Sequence, residues 1–229
     1  MAKAKLTEQE KLQQEKVEER VSAVEKFFDE NKKTIWSVLG GIVVIGLVVL
    51  CWQKFYLTPK KAEAAEQLYP AEALYRAGDY EGALLGDGNV LGFEQIISEY
   101  GKKAGKAVYM YAGVSSLLLE NYDNAIYYLK KYNGKDPILA ARSLSCLGDA
   151  YCGLEDYTNA LSCYKKAAAQ ADNMYAASYL LKAGIVSETL GNPQEALAFY
   201  KKIKDQYPSS VEGYDIDKYI SRIENAPEE

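Results

Sequence analysis

The chain of 229 residues contains no histidine. Imidazole is the commonest general base near neutral pH and the centre of most nucleophilic triads, so those mechanisms are removed. Carboxylate pairs remain, such as Asp149 with Glu155 or Glu188 with Glu195. On helical faces such acids are solvated or cap helices, and no enzymatic activity is expected. Cysteine is scarce too, with four residues. Cys51 stands in an apolar run. Cys146, Cys152 and Cys163 cannot all pair with one another, and Cys146 and Cys152 point to different sides of one helix. Their spacing fits no zinc site, so they are read as small packing groups, and neither metal nor cofactor is expected. The six prolines gather into no proline- or serine-rich linker. Positive charge is short where it would matter for nucleic acid: residues 58–229 carry a net −6 against +1 for residues 1–57. Nucleic-acid binding needs a basic footprint and is excluded.

One long uncharged stretch is present. Thr34 to Gln53 holds no ionisable carboxylate or amine, and Ile35 to Trp52 is built of Ile, Val, Leu, Gly, Trp, Cys and a single Ser. As a helix this run spans about 27 Å, close to the hydrocarbon thickness of a bilayer. Trp36 and Trp52 mark its ends, and Lys32, Lys33 and Lys54 flank it, as interfacial anchors should. The preceding segment is too long and too acidic for a signal peptide's basic region, and no A-x-A site follows. Leu50 before Cys51 is too bulky for a lipoprotein cleavage site. The reading is a retained transmembrane helix over 34–56, behind a charged helical segment over 1–33. In that segment Val17, Val21, Val24 and Phe28 draw one narrow apolar stripe. Five basic residues precede the span at close range (Lys16, Arg20, Lys26, Lys32, Lys33) and three follow it (Lys54, Lys60, Lys61). That excess places the N-terminus inside and the rest of the chain outside the cytoplasm.

Beyond the span, from 60 to 225, the chain repeats itself. From Ala141, Leu144, Leu147, Gly148 and Tyr151 are followed by Asp156-Tyr157, Ala160, Tyr164 and Ala167. From Ala177 the matching places hold Leu180, Gly184, Asn192-Pro193, Ala196, Tyr200 and Pro208. From Lys106 they hold Tyr109, Gly113, Asn121-Tyr122, Ala125, Leu129 and Pro137. A degraded copy begins near Ala64, with Ala71, Asp79-Tyr80 and Ala83. Small residues at positions 8 and 20 let helix A and helix B of each copy approach. The side chain at 24 is expected to fill the gap toward the next copy. Asn or Asp at the turn caps helix B, and proline at 32 should end it. One hairpin cannot bury its apolar face alone, so the copies must stack. This pattern resembles the tetratricopeptide repeat, and the fold class it implies is all-α: a solenoid of about four helical hairpins. Ile216, Tyr219, Ile220 and Ile223, at helical spacing, add a C-terminal capping helix.

The first copy departs from the pattern. Gly86-Asp87-Gly88-Asn89-Val90-Leu91-Gly92 interrupts its second helix, which resumes at Phe93 with Ile96 and Tyr100 displaced by six residues. Two oxygen side chains are too few for calcium. A surface bulge and a partner-contacting loop are both consistent with the residues.

In such a stack helix A lines the concave side through positions 2, 5, 9, 12 and 13. The expected protein-binding groove therefore contains Met110, Val114 and Leu117 from the second copy, with Ala107 and Leu118. Arg142, Ser145 and Asp149 come from the third, with Cys152 and Gly153. Leu181, Ile185 and Glu188 come from the fourth, with Ser178 and Thr189. This wall reads as mostly apolar with one arginine. It suits an amphipathic or unfolded polypeptide segment, although the C-terminal helix could cover part of it. Repeat proteins that hold acidic chaperone tails use Lys and Asn at positions 5 and 9, which this chain lacks.

The segment Val21-Ser22-Ala23-Val24-Glu25-Lys26-Phe27-Phe28-Asp29-Glu30-Asn31, one span, then repeats, resembles the ancillary subunit of the bacterial Sec translocon. That resemblance implies an inner-membrane protein whose periplasmic repeats assist chaperones receiving exported chains. The loop at Gly86–Gly92 with Phe93–Tyr100 looks more like tetratricopeptide proteins of the Bacteroidota. The expected function is a membrane-anchored, chaperone-like adaptor or scaffold for polypeptide segments. The alternative is a structural subunit of a cell-envelope complex, held through its anchor and repeat edges.

Overall fold

The computed structural model describes residues 8–170 and 175–225. It divides into two units that meet between Pro59 and Lys60. The first is built on α1 (Glu8–Trp52), followed by a π-helical stretch, Gln53–Leu57. The N-terminal half of α1 is rich in Glu, Lys and Gln, good helix formers. Its C-terminal half is apolar on every face. An 18-residue window there has a mean hydropathy of 2.5, and none of it is buried. The large side chains from Val38 to Leu50 are all exposed, so the helix is long and apolar enough to cross a membrane. A Cβ added to Gly40, Gly41 or Gly46 would meet nothing within 4 Å. Of the apolar stripe read before the span, Val21 and Phe28 are exposed. The side chains of Val17 and Val24, like residues 1–7, lie outside the described residues.

The second unit is a row of helical hairpins. Its elements are α2 (Thr58–Ala77), α3 (Tyr80–Leu85), α4 (Phe93–Tyr100), a 3₁₀ turn (Gly101–Ala104), α5 (Ala107–Leu118) and α6 (Tyr122–Lys131). They continue with α7 (Pro137–Gly153), α8 (Tyr157–Gln170), α9 (Ala176–Thr189), α10 (Pro193–Gln206) and α11 (Val211–Glu224). The expected hairpins form: α5 with α6, α7 with α8 and α9 with α10, and α2, through Ala64, Ala71 and Tyr75, with a B helix split into α3 and α4. Each packs on the next, and α11 closes the row against α10 and α9.

Every A-to-B turn is the same two-residue device. Helix A ends in a left-handed residue: Gly78 (φ 85°), Glu120 (φ 58°), Glu155 (φ 58°) or Gly191 (φ 75°). The amide of the next residue reaches back to the carbonyl five residues earlier. Asp79 N–H donates to Leu74 O at 3.0 Å, Asn121 to Ser116 at 2.8 Å, Asp156 to Tyr151 at 2.9 Å and Asn192 to Ser187 at 2.8 Å. These bonds satisfy carbonyls that a helix end otherwise leaves orphaned. The same Asp or Asn then opens helix B. Asp79 accepts from Gly82 N–H, Asn121 from Asn124 N–H and Asp156 from Asn159 N–H. Asn192 makes no side-chain cap bond, and Pro193 at the first helical position presets φ instead.

Position 8 is small because helix B's position 24 sits on it. A Cβ on Gly113 would lie 2.6 Å from Leu129, and one on Gly148 2.6 Å from Tyr164; on Gly184 it would run into the Tyr200 ring. The residue at 24 therefore fills a notch in its own hairpin and, as expected, also packs toward the following element: Leu129 beside Leu147 and Ala150, Tyr164 beside Ala183 and Val186, Tyr200 beside Ile216 and Ile220. The prolines also divide their roles. Pro208 follows the end of α10, but Pro137 begins α7, where Asp136 caps by accepting from Leu139 N–H at 2.8 Å. Helix α6 has already ended at Lys131, so the proline starts the next helix and does not stop the previous one.

The interruption of the first B helix is a closed loop. Gly86 (φ 86°) pairs with Leu91 across its neck, and Asp87 Oδ1 accepts from Asn89 N–H and Val90 N–H at 2.9 and 2.8 Å. Those bonds hold the Asp87 carboxyl below its usual range. A Cβ on Gly92 would collide with the backbone at Leu84 and Gly86, so only glycine lets the two sides meet. Leu91 tucks against the core beside Phe93 and Ile96.

Candidate functional site

Helices α5, α7 and α9 line two adjoining cavities. The first, of 180 Å³, is walled by Tyr75, Met110, Tyr111 and Val114, with Ala107, Tyr132, Leu139 and Arg142 completing it. Its aromatic side is rigid: Tyr75 meets Tyr80, Phe93 and Tyr111 edge-on at 5.6, 6.3 and 5.1 Å, and Phe93 stacks on Tyr111 at 5.4 Å. The second, of 400 Å³, is more polar. Ser145, Cys146 and Asp149 form one side, Ser178, Tyr179 and Lys182 the other, with Ile138 and Tyr175 at its edge. Leu139 and Arg142 belong to both cavities.

Positions 2, 5 and 9 of helix A thus reach the cavities in the second and third hairpins, through Met110, Val114, Arg142, Ser145 and Asp149. Val114 and Ser145 are themselves buried, and each shows the groove only an edge. Ala107 and Ser178, position 2 of the second and fourth copies, line the cavities too, whereas several expected residues lie elsewhere. Leu117 packs between α5, α6 and α7 beside Val114 and Leu129. A Cβ on Gly153 would strike the Tyr122 ring, so that position faces the preceding B helix. Leu181 packs with Leu180, Tyr200, Ile216 and Ile220, under α11. Ile185 is exposed at 43 %. Glu188 is held by the chain's own tail: Arg222 reaches both its oxygens at 2.6 and 2.8 Å, and the Tyr200 hydroxyl donates to one of them.

The sequence reading placed one cation on this wall, and the structure adds a second. Lys182 Nζ donates to both oxygens of Asp149 at 2.7 and 2.8 Å. Lys182 occupies position 6, one turn beyond position 2, as do Tyr111 and Cys146. A 3.6-residue period carries 2, 5 or 6, and 9 along one face, and that was the signal available. Asp149 also accepts from the Tyr164 hydroxyl at 2.7 Å. The centre of the groove is therefore polar and largely neutralised, and the apolar part is confined to the α2–α5–α7 end.

Burial pushes Cys146, Cys152 and Cys163 above their ordinary values, which keeps them protonated at neutral pH. Burial likewise raises Tyr75, Tyr111 and Tyr179, with the nearby Arg142 opposing the shift. Among the described residues no three carboxylates or thiols converge as metal ligands.

Residues 139–209 match the family model for the tetratricopeptide repeat. The structure is similar to solved structures of MamA. One crystal structure is 18 % identical with a TM-score of 0.52, covering 67 % of this chain and 91 % of that one. MamA residues 41 to the end from Desulfovibrio magneticus RS-1 is 17 % identical with a TM-score of 0.53, covering 74 % and 96 %. Another MamA crystal structure is 17 % identical with a TM-score of 0.54, covering 72 % and 90 %. These likenesses establish an all-α, tetratricopeptide-like solenoid. No curated protein matches the chain in sequence.

Proposed function

We propose that the protein is a membrane-anchored scaffold that holds polypeptide segments along α5, α7 and α9, without catalysing a reaction. The observation that carries this reading is the pair of adjoining cavities sharing Leu139 and Arg142, left open by the chain's own helices. A rigid aromatic wall beside a polar floor suits an amphipathic segment, whose apolar side chains enter the first cavity while its backbone crosses the second. The anchor is the apolar part of α1, with the N-terminus in the cytoplasm and the hairpins in the periplasm of a bacterial inner membrane. The Sec translocon and periplasmic chaperones are the partners that the arrangement of segment, span and repeats favours.

A photoreactive amino acid at Leu139 or Met110 of the full-length chain in its native membrane tests the groove. Crosslinks to polypeptide from these positions, and none from Lys202 on the outside of α10, are expected. Equal yields from all three would leave the rival, a structural subunit held by its edges. Exposed Tyr69 (68 %) and Tyr214 (78 %) are the surface features that rival would use. Alkaline phosphatase fused after Asn225 should be active if the hairpins lie outside the cytoplasm.

A further inference from the structure

Three cations stand on or beside the helix-A wall, and two are spoken for. Lys182 is bonded to both oxygens of Asp149, and Arg222 to both oxygens of Glu188. Arg142 differs. It is exposed, it separates the two cavities, and among the described residues no carboxylate forms an ion pair with it. Tyr75, Tyr111, Tyr179 and Cys146 surround it closely enough for its charge to act on each of them. All four are neutral at physiological pH. The guanidinium therefore faces the groove with hydroxyls, the Cys146 thiol and aromatic rings around it; Asp149 in the same cavity is bonded to Lys182, and no carboxylate among the described residues is within ion-pairing distance of Arg142.

A guanidinium in that position is a fork of donors awaiting a planar acceptor. The cavities open on both sides of it, so an occupant that fills both passes over Arg142 and does not stop there. We infer that the groove selects a through-running peptide segment with an internal Asp or Glu, its carboxylate on Arg142 and a neighbouring large apolar side chain in the Tyr75–Met110–Tyr111 cavity. This deepens the polypeptide-binding reading above and rests on it. Tyr75 and Tyr111, lining the same cavity, make its surroundings less polar than open water, which strengthens the pair. The already neutralised Asp149–Lys182 pair contributes little net charge to compete with it.

The test uses the full-length protein in nanodiscs and three fluorescein-labelled 12-residue peptide pools, each with one fixed Leu and one fixed central residue, Glu, Gln or Lys, and random small residues elsewhere. The Glu pool should bind about tenfold more tightly than the Gln pool, and the Lys pool more weakly still. Arg142→Gln should erase the difference between Glu and Gln, and Arg142→Glu should reverse the order of Glu and Lys. The side chain is exposed, so both variants should fold, and circular dichroism checks this. Amidating the peptide C-terminus should change nothing; a large loss on amidation would assign Arg142 to a chain terminus and overturn the inference. Equal binding of the Glu and Gln pools, with crosslinks still at Leu139, overturns the carboxylate assignment and leaves the groove reading intact. Absence of crosslinks at Leu139 overturns both.

Discussion

Tyr164 on α8 donates its hydroxyl hydrogen to Asp149 on α7 at 2.7 Å, while Lys182 on α9 approaches the same carboxylate from the following hairpin. One acid therefore joins two hairpins. Tyr164→Phe removes the bond to Asp149 and the weaker contact with Cys152 Sγ at 3.4 Å but leaves Asp149 its lysine, so the cost should be about 1 kcal/mol, seen as a fall of about 3 °C in Tm. Asp149→Ala also strands Lys182 and the tyrosine hydroxyl. It should cost more than Tyr164→Phe, and the double variant should be less destabilised than the sum. Additive losses would show that the network is not coupled.

Gly184→Ala should destabilise by about 2 kcal/mol, because the new methyl meets the fully buried Tyr200 ring. Tyr200→Leu in the same chain should recover part of that loss by clearing the notch. Gly191→Ala offers a contrast. Nothing lies within 4 Å of a Cβ there, and the cost arises from φ 75° alone, so leucine at 200 should not relieve it. Urea midpoints of the four variants separate the mechanisms.

Glu120 and Glu155 end their helices with φ 58°, the conformation that Gly78 and Gly191 adopt at the equivalent turns. A left-handed residue with a Cβ costs about 1–2 kcal/mol. Glycine gives back part of that through its freer unfolded chain. Glu120→Gly and Glu155→Gly should each stabilise by about 0.5–1 kcal/mol. A loss of stability would mean that the glutamate side chains contribute more than their exposure indicates.

Ser115 Oγ is fully buried and has no hydrogen-bond partner among the described residues. Removing an unsatisfied polar atom from a packed site favours the fold. Ser115→Ala should raise the urea midpoint, whereas Ser116→Ala, which removes the bond from Ser116 Oγ to Ala112 O at 2.8 Å, should lower it or leave it unchanged.

Alkali should loosen the hairpins. Burial first, and then the bond to Glu63, pushes Tyr100 up to about 12. Burial, assisted by Glu94, Asp149 and Glu188, raises Tyr128, Tyr164 and Tyr200 as well. An unfolded tyrosine ionises near pH 10. Below that value both states hold the proton and the contribution is complete. Above it the unfolded chain releases protons that the folded chain keeps, so stability falls as pH rises from about 10 through 12. Unfolding free energies measured at pH 8, 10, 11 and 12 should be level and then decline, and Tyr164→Phe should make the decline shallower.

The repeat register, the glycine at position 8 and the turn caps were legible in the sequence because each is settled within one hairpin. Gly148 and Asp156 lie within a single hairpin, so spacing alone predicts a small residue where helix B approaches and a cap where it begins; that the Tyr164 ring is what sits on Gly148 came only from the structure. The groove was legible only in part. Lys182 meets Asp149 across the step from one hairpin to the next, and that step is not written in the period of either helix. The loss of Leu181 and Glu188 to α11 has the same origin. The sequence marks Ile216 and Ile220 as a capping face without saying how far toward the fourth A helix that face extends. Pro137 was misassigned because proline breaks a helix that precedes it and begins one that follows it. The five residues from Tyr132 to Asp136 decide between the two: Asn133-Gly134 marks a turn and Asp136 before Pro137 marks a helix start, a local signal that the repeat register overrides.

The reciprocal hydrogen bonds at the A-to-B turns have a mechanical consequence. With two residues per bend and backbone bonds locking both, no slack remains inside a hairpin. The longer joint at Tyr132–Asp136, by contrast, shows no such five-residue amide bond among the described residues and is held instead by Tyr132 N–H to Leu129 O and by Lys106 Nζ donating to Asn133 O at 2.8 Å. Elastic deformation of the solenoid under load should therefore concentrate between hairpins, so that α5 and α6 shift as one stiff strut against α7 and α8, altering the spacing between Met110 and Arg142 while each bend keeps its form.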